Sequence, residues 1–177
     1  SSRFPSTAWL ASGFTPFPQQ IFAGEGDQRN LAVDRGEIAW AVRRDGISRI
    51  EYCRRPNAPR KCVPREVTQA PGTMSRPFLA KGWLVWERSD GGQQFVEGCR
   101  VDRPEGGCEA QPLIDPELGN AAGFLQSFDG ETLLLRSSGA LSICRLGEVD
   151  AAACVPEVIR LPGGDAVPIE PVHEGNL

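Results

Sequence analysis

Apolar and polar residues alternate along this chain in short runs of strand length, and the runs come in sets. Three times an apolar segment (Leu31-Ala32-Val33, Pro77-Phe78-Leu79-Ala80, Gly123-Phe124-Leu125) leads into a glycine turn at Arg35-Gly36, Lys81-Gly82 or Asp129-Gly130. Second strands are predicted at 38–42, 83–87 and 132–136, with a large apolar side chain four residues after each turn glycine: Trp40, Trp86 and Leu134. Another turn, Asp45-Gly46, Asp90-Gly91-Gly92 or Ser138-Gly139, precedes a third strand that ends on Cys53, Cys99 or Cys144. Fourth strands follow at 63–68, 110–114 and 155–161 and close on Pro71-Gly72, Leu118-Gly119 and Pro162-Gly163. Glycine suits these turns because it reaches positive φ without steric cost.

The beat is about 46 residues, an internal repeat of one four-stranded unit. Four antiparallel strands per repeat is the size of a propeller blade. The expected fold is therefore all-β, a β-propeller or propeller fragment in one domain, with blades at about 30–75, 76–122 and 123–164. Partial blades are expected at 1–29, where 7–11 and 17–24 read as two strands, and at 165–177, where 167–172 reads as an opening strand. The sequence thus starts and stops in mid-blade. Three assemblies remain open: a stretch of a longer propeller, a dimer forming a larger ring, or a small four-bladed ring closed by its own ends.

Composition supports strands. Twenty Gly and fifteen Pro are spread over 177 residues, which denies any long helix, and 40% apolar with 24% charged residues is an ordinary globular balance. The six cysteines fall into near pairs, Cys53/Cys62, Cys99/Cys108 and Cys144/Cys154, separated by eight, eight and nine residues. Those gaps fit a structural zinc site poorly. They suit disulfides clipping the third strand to the fourth, because antiparallel neighbours lie within disulfide reach. An oxidising location follows, secreted, periplasmic or cell-surface. No run of 18 apolar residues is present, so no membrane span is expected.

One order of residues goes further. Leu31-Ala32-Val33-Asp34-Arg35-Gly36-Glu37-Ile38-Ala39-Trp40, then Arg44-Asp45-Gly46-Ile47-Ser48-Arg49-Ile50-Glu51-Tyr52, then Arg65-Glu66-Val67-Thr68-Gln69-Ala70-Pro71-Gly72, resembles the blade repeat of TolB-type (WD40-like) β-propellers. The second and third copies carry the pattern more weakly, and the likeness spans roughly 30–164. In its clipped cysteines the chain is also similar to exported myxobacterial propeller proteins. This resemblance implies a propeller fold and a protein-binding habit, and it brings no catalytic residues.

Candidate chemistry is sparse. The single histidine, His173, leaves no Ser-His-Asp arrangement in prospect, and no phosphate loop, dinucleotide fingerprint, metal site or cofactor site is expected. Net charge is −4, yet Arg43, Arg44, Arg49, Arg54, Arg55, Arg60, Lys61 and Arg65 oppose only Asp45 and Glu51 between positions 43 and 65. That segment is +6 and the remainder −10. Arg54, Arg55, Arg60 and Lys61 are accordingly candidates for docking an acidic partner or a second copy of the chain. Arg43, Arg88 and Arg136 recur just after the second strands and are candidates for ringing one rim and binding an anionic group. Nucleic acid is not expected at a pI near 5.1. The expected function is a non-enzymatic extracytoplasmic scaffold for a protein partner. A carbohydrate-binding propeller, with a glycan as ligand, and the propeller portion of a larger hydrolase are the alternatives.

Overall fold

In the computed structural model, the described residues (6–10, 19–24, 27–54, 62–102, 108–118, 123–137, 140–146 and 153–159) are all-β. A two-stranded antiparallel pair, β1 (Ser6–Leu10) and β2 (Gln19–Gly24), comes first, and β1 lies against the strand that follows at Asp27–Asp34. Three four-stranded antiparallel sheets then follow in sequence order. The first holds β3 (Asp27–Asp34), β4 (Glu37–Arg44), β5 (Ile47–Arg54) and β6 (Arg65–Ala70). The second holds β7 (Thr73–Ala80), β8 (Trp83–Asp90), β9 (Gln93–Arg100) and β10 (Gln111–Pro112). The third holds β11 (Phe124–Phe128), β12 (Thr132–Ser137), β13 (Ala140–Arg145) and β14 (Glu157–Val158). No helix among the described residues is long and apolar enough to cross a membrane.

Turn chemistry explains the hairpins. Arg35 and Gly36 take φ of 44° and 83°, and Asp45-Gly46 and Lys81-Gly82 likewise have both residues at positive φ. Two-residue turns of this hand match the twist of the strands they join. The third copy differs: Phe128 pairs with Leu133, so residues 129–132 make the connection. Asp129 holds that longer turn by accepting the backbone N–H groups of Thr132 (2.7 Å) and Glu131 (2.8 Å), bonds that pull its carboxyl below the usual range. The longer turn shifts the register. Cys53, Cys99 and Cys144 pair with Ile38, Leu84 and Leu133, which makes Leu135 the counterpart of Trp40 and Trp86. The expectation of Leu134 at that place is corrected: Leu135 is fully buried, whereas Leu134 is only half-buried.

Strands β3 and β7 begin earlier than their apolar residues suggest, and all three first strands carry a bulge. Asn30 and Leu31 together oppose Trp40, Arg76 and Pro77 oppose Trp86, and Gln126 is the extra residue in β11. Asn30 and Arg76 adopt positive φ there, a conformation that asparagine tolerates far better than arginine. One outcome is that Ala32 is buried while Leu31 and Val33 are exposed. The fourth strands are shorter than expected in the second and third sheets, at two residues each. Pro112, with no N–H to give, sits on the outer edge of its sheet, where a ladder donor is least needed.

The sheets pack face to face. Ala39, Ala41, Ile50 and Tyr52 of the first meet Met74, Leu84 and Trp86 of the second. Trp83, Val85 and Val96, on the other face of the second sheet, meet Leu125, Leu133 and Leu135 of the third. Strand β8 is consequently buried on both faces, with Trp83 and Trp86 inside, and β4 is likewise buried on both, with Trp40 on the face turned away from the second sheet. Polar bonds reinforce these contacts. Met74 N–H donates to Ser48 Oγ (2.9 Å), Lys81 Nζ to Glu131 Oε1 (2.6 Å) and Cys154 N–H to Leu113 O (2.9 Å).

Disulfides join Cys53 to Cys62, Cys99 to Cys108 and Cys144 to Cys154, with Cα separations of 5.9, 5.2 and 6.0 Å. In every sheet the bond links the third strand to a residue just ahead of the fourth. Closing so short a loop limits the unfolded chain and pins the outer strand, whose exposed edge is otherwise the first to fray. Three such bonds indicate an oxidising compartment.

Candidate functional site

A half-open cleft of about 120 Å³ lies where the first and second sheets meet, lined by Asp27, Arg29, Ala41, Val42, Arg43, Ser48, Thr73 and Met74. Strand register builds it. Asp27 of β3 pairs with Arg43 of β4, which pairs with Ser48 of β5, so these three side chains form a cross-strand row on one face. Arg29 and Ala41 make the next row on that face. The β7 residues Thr73 and Met74 form the facing wall, held by the bond from Met74 N–H to Ser48 Oγ.

The polar groups of the cleft are unequally engaged. Arg29 Nε donates to Asp27 Oδ2 at 2.7 Å, and their guanidinium and carboxylate form an ion pair. That pairing holds the Asp27 carboxyl below its usual range. Arg43 is exposed and makes no ion pair or hydrogen bond among the described residues. Ser48 is 2% exposed, and its oxygen accepts from Met74 while its own proton remains to donate. Two guanidinium groups and one carboxylate leave the cleft at +1.

The run of basic residues between 43 and 65 is divided by the strand that carries it. Arg44 pairs with Ile47 at one end of the β4–β5 hairpin, and Arg54 pairs with Glu37 at the other. Eight residues of β5 separate the two ends by about 23 Å at strand rise. Arg43 therefore stands at the cleft and Arg54 at the disulfide end. Arg55, Arg60 and Lys61 lie outside the described residues, as do His173 and the expected partial blade at 165–177. Arg49, midway, is paired with Glu66 (2.9 Å).

The recurring arginines occupy three registers. Counted from the residue opposite each third-strand cysteine (Ile38, Leu84, Leu133), Arg43 is fifth, Arg88 fourth and Arg136 third. Successive strand residues point to opposite faces, so no common ring of guanidinium groups results. Arg88 is spent within its own sheet: it donates to Glu97 (2.8 Å), pairs with Asp90 (3.4 Å) and lies over the Phe95 ring (4.2 Å). Arg136 is opposite Phe124 and Leu141 on the third sheet.

Two further clusters hold buried acids. At the disulfide end, Tyr52 Oη donates to buried Glu37 (2.8 Å), Arg54 lies 3.4 Å from the same carboxylate oxygen, and Arg65 covers the Tyr52 ring. Burial, then the bond to Glu37, pushes the Tyr52 hydroxyl well above the ordinary tyrosine range. Between the second and third sheets, Glu87 accepts Leu125 N–H (2.5 Å) and faces Arg76 at 3.7 Å. Arg76 in turn donates to Leu125 O (3.3 Å), so both backbone groups of Leu125 are held by the preceding sheet. Burial raises the Glu87 carboxyl against the opposing pull of Leu125 N–H and Arg76.

Asp27, Arg29, Ser48 and Glu87 were not prominent in the linear pattern. The Asp45-Gly46 turn carries the missing signal for Ser48, since a two-residue hairpin there sets Arg43 opposite Ser48. Glu87 has no such marker, because its partner lies 38 residues away. No protein-family model matches this chain, and no curated protein matches it.

Proposed function

We propose that the three sheets are blades of a TolB-like β-propeller and that the chain acts as a non-enzymatic, extracytoplasmic scaffold binding a protein partner. The observation that carries this reading is the double burial of β4 and β8. A sheet apolar on both faces needs another layer on each side; a like sheet supplies it on both sides of β8, which is the repeating contact of a propeller and leaves strand ends and loops as the surface for recognition. The side chains consumed in that packing include Trp40, Trp83 and Trp86, so they offer no exposed stacking platforms for sugar rings. Secretion, a periplasmic location or display at the cell surface is proposed on the strength of the three disulfides.

Closure and binding have separate tests. A closed monomer of 177 residues is expected to show a radius of gyration of about 16 Å in solution scattering; a closed dimer would double the native mass, and an extended particle of monomer mass would contradict the ring. Screening the intact chain against arrays of extended peptides and of glycans is expected to give saturable binding on peptides. Binding confined to glycans would refute the protein-partner reading.

A further inference from the structure

We infer that the cleft between the first and second sheets binds a carboxylate on a short aliphatic stem, an aspartyl or glutamyl side chain of a partner polypeptide. The inference rests on the protein-binding reading above and gives it a site and a ligand chemistry.

Every wall contributes. The charge that recognises the ligand is Arg43, an exposed guanidinium free of ion pairs among the described residues, whose planar fork matches a carboxylate through two parallel bonds. Beside it in the row is Ser48, buried and fixed by Met74 N–H, with a hydroxyl proton to donate to one carboxylate oxygen. Ala41 and Met74, which pack on the same side of the first sheet, supply an apolar floor for one or two methylene groups.

Asp27 sets the selectivity. Its charge is compensated by Arg29, so a single negative charge is attracted to a cleft of net +1, while a dianion meets only one uncommitted guanidinium and a carboxylate nearby. The space is also small: about 120 Å³ takes a carboxylate and its stem and leaves the rest of an extended peptide on the rim.

The chain offers its own reporter. Met74 is the one methionine in the sequence, so labelling methionine methyl groups with carbon-13 gives one resonance in the cleft wall. The intact protein is titrated with N-acetylated, C-amidated Gly-Glu-Gly, with its Gln counterpart, with glutarate and with inorganic phosphate. Saturable movement of the Met74 methyl is expected with the Glu peptide, with affinity at least tenfold weaker for the Gln peptide and for phosphate. Arg43→Gln is expected to weaken Glu-peptide binding at least tenfold, Arg43→Lys to restore part of it, and Asp27→Asn to strengthen it severalfold. Equal shifts with the Gln peptide, or an Arg43→Gln variant of unchanged affinity, would overturn the carboxylate site. Glutarate or phosphate binding tenfold tighter than the Glu peptide would overturn the assignment to a polypeptide. Peptide-array binding that survives Arg43→Gln would sink this site while leaving the scaffold reading intact, and an array without peptide hits would sink both.

Discussion

Replacing Glu87 tests whether the sheets are joined by specific polar bonds as well as by apolar packing. Glu87 is 5% exposed, and its carboxylate is the acceptor for Leu125 N–H across the junction of the second and third sheets. Glu87→Leu removes that acceptor and strands the amide. A hydrogen bond to a charged group contributes about 1.5–3 kcal/mol, and an orphaned buried donor costs about 1–3 kcal/mol. Relief of carboxylate desolvation offsets part of this, so a net loss of about 2 kcal/mol is expected. Glu87→Gln keeps an oxygen for Leu125 and removes the titration, so its loss at pH 7 should be smaller. The pH dependence separates the two effects. Because burial raises the folded-state carboxyl, the site's proton-linked stabilisation is complete below the unfolded value of about 4.3 and fades as pH rises through the folded value. Wild type should therefore gain on Glu87→Gln as pH falls from 7 towards the unfolded value of about 4.3, measured as the difference between paired urea unfolding curves. A difference that stays flat, or that moves against wild type, would refute this placement of Glu87.

Other expectations concern register, clips and the single tyrosine. Leu135→Ala should destabilise by about 2–5 kcal/mol in urea unfolding and Leu134→Ala by less than half as much; the reverse order would restore the unshifted register. Removing one clip with Cys53→Ala and Cys62→Ala should cost about 2.7 kcal/mol on loop-closure grounds, measured under the same conditions, and a change below 0.5 kcal/mol, about the noise of a surface substitution, would deny the clip a stabilising role. Tyr52 is the one tyrosine, so absorbance near 295 nm follows it alone. Its raised hydroxyl should stay protonated until the fold is lost, and stability should fall by about 1.4 kcal/mol per pH unit above about pH 10, where the unfolded chain releases the proton. An ordinary titration near pH 10 in the folded protein would show Tyr52 to be solvated.

Local chemistry made the strands legible and long-range geometry hid the rest. Arg35-Gly36, Asp45-Gly46 and Lys81-Gly82 announce tight hairpins because a turn's φ angles are set by the residues within it. Trp40, Trp83 and Trp86 announce the core because large apolar side chains on central strands have nowhere else to go. The bulges at Asn30-Leu31 and Arg76-Pro77 escape notice, since an extra residue in a strand looks like any other until its partner is known. The third hairpin misleads for a related reason: Asp129-Gly130 has the composition of a two-residue turn, but its carboxylate captures Glu131 and Thr132 and lengthens the loop. In the candidate site, Arg43 was legible as a strand-end cation. Its neighbours Asp27 and Thr73 were not, because the cleft exists only where two separate sheets meet. A basic stretch that reads as one patch in sequence is parted by an eight-residue strand.

Native-state hydrogen exchange read residue by residue addresses the stacking of the sheets most directly. Amides of β8, enclosed by a sheet on either face, and of β4, buried on both faces, should exchange slowest, at rates set by global unfolding, and those of β6, β10 and β14 at the outer edges should exchange orders of magnitude faster. Rapid exchange throughout β4 or β8, or equal protection in inner and outer strands, would show that the sheets are not stacked as described.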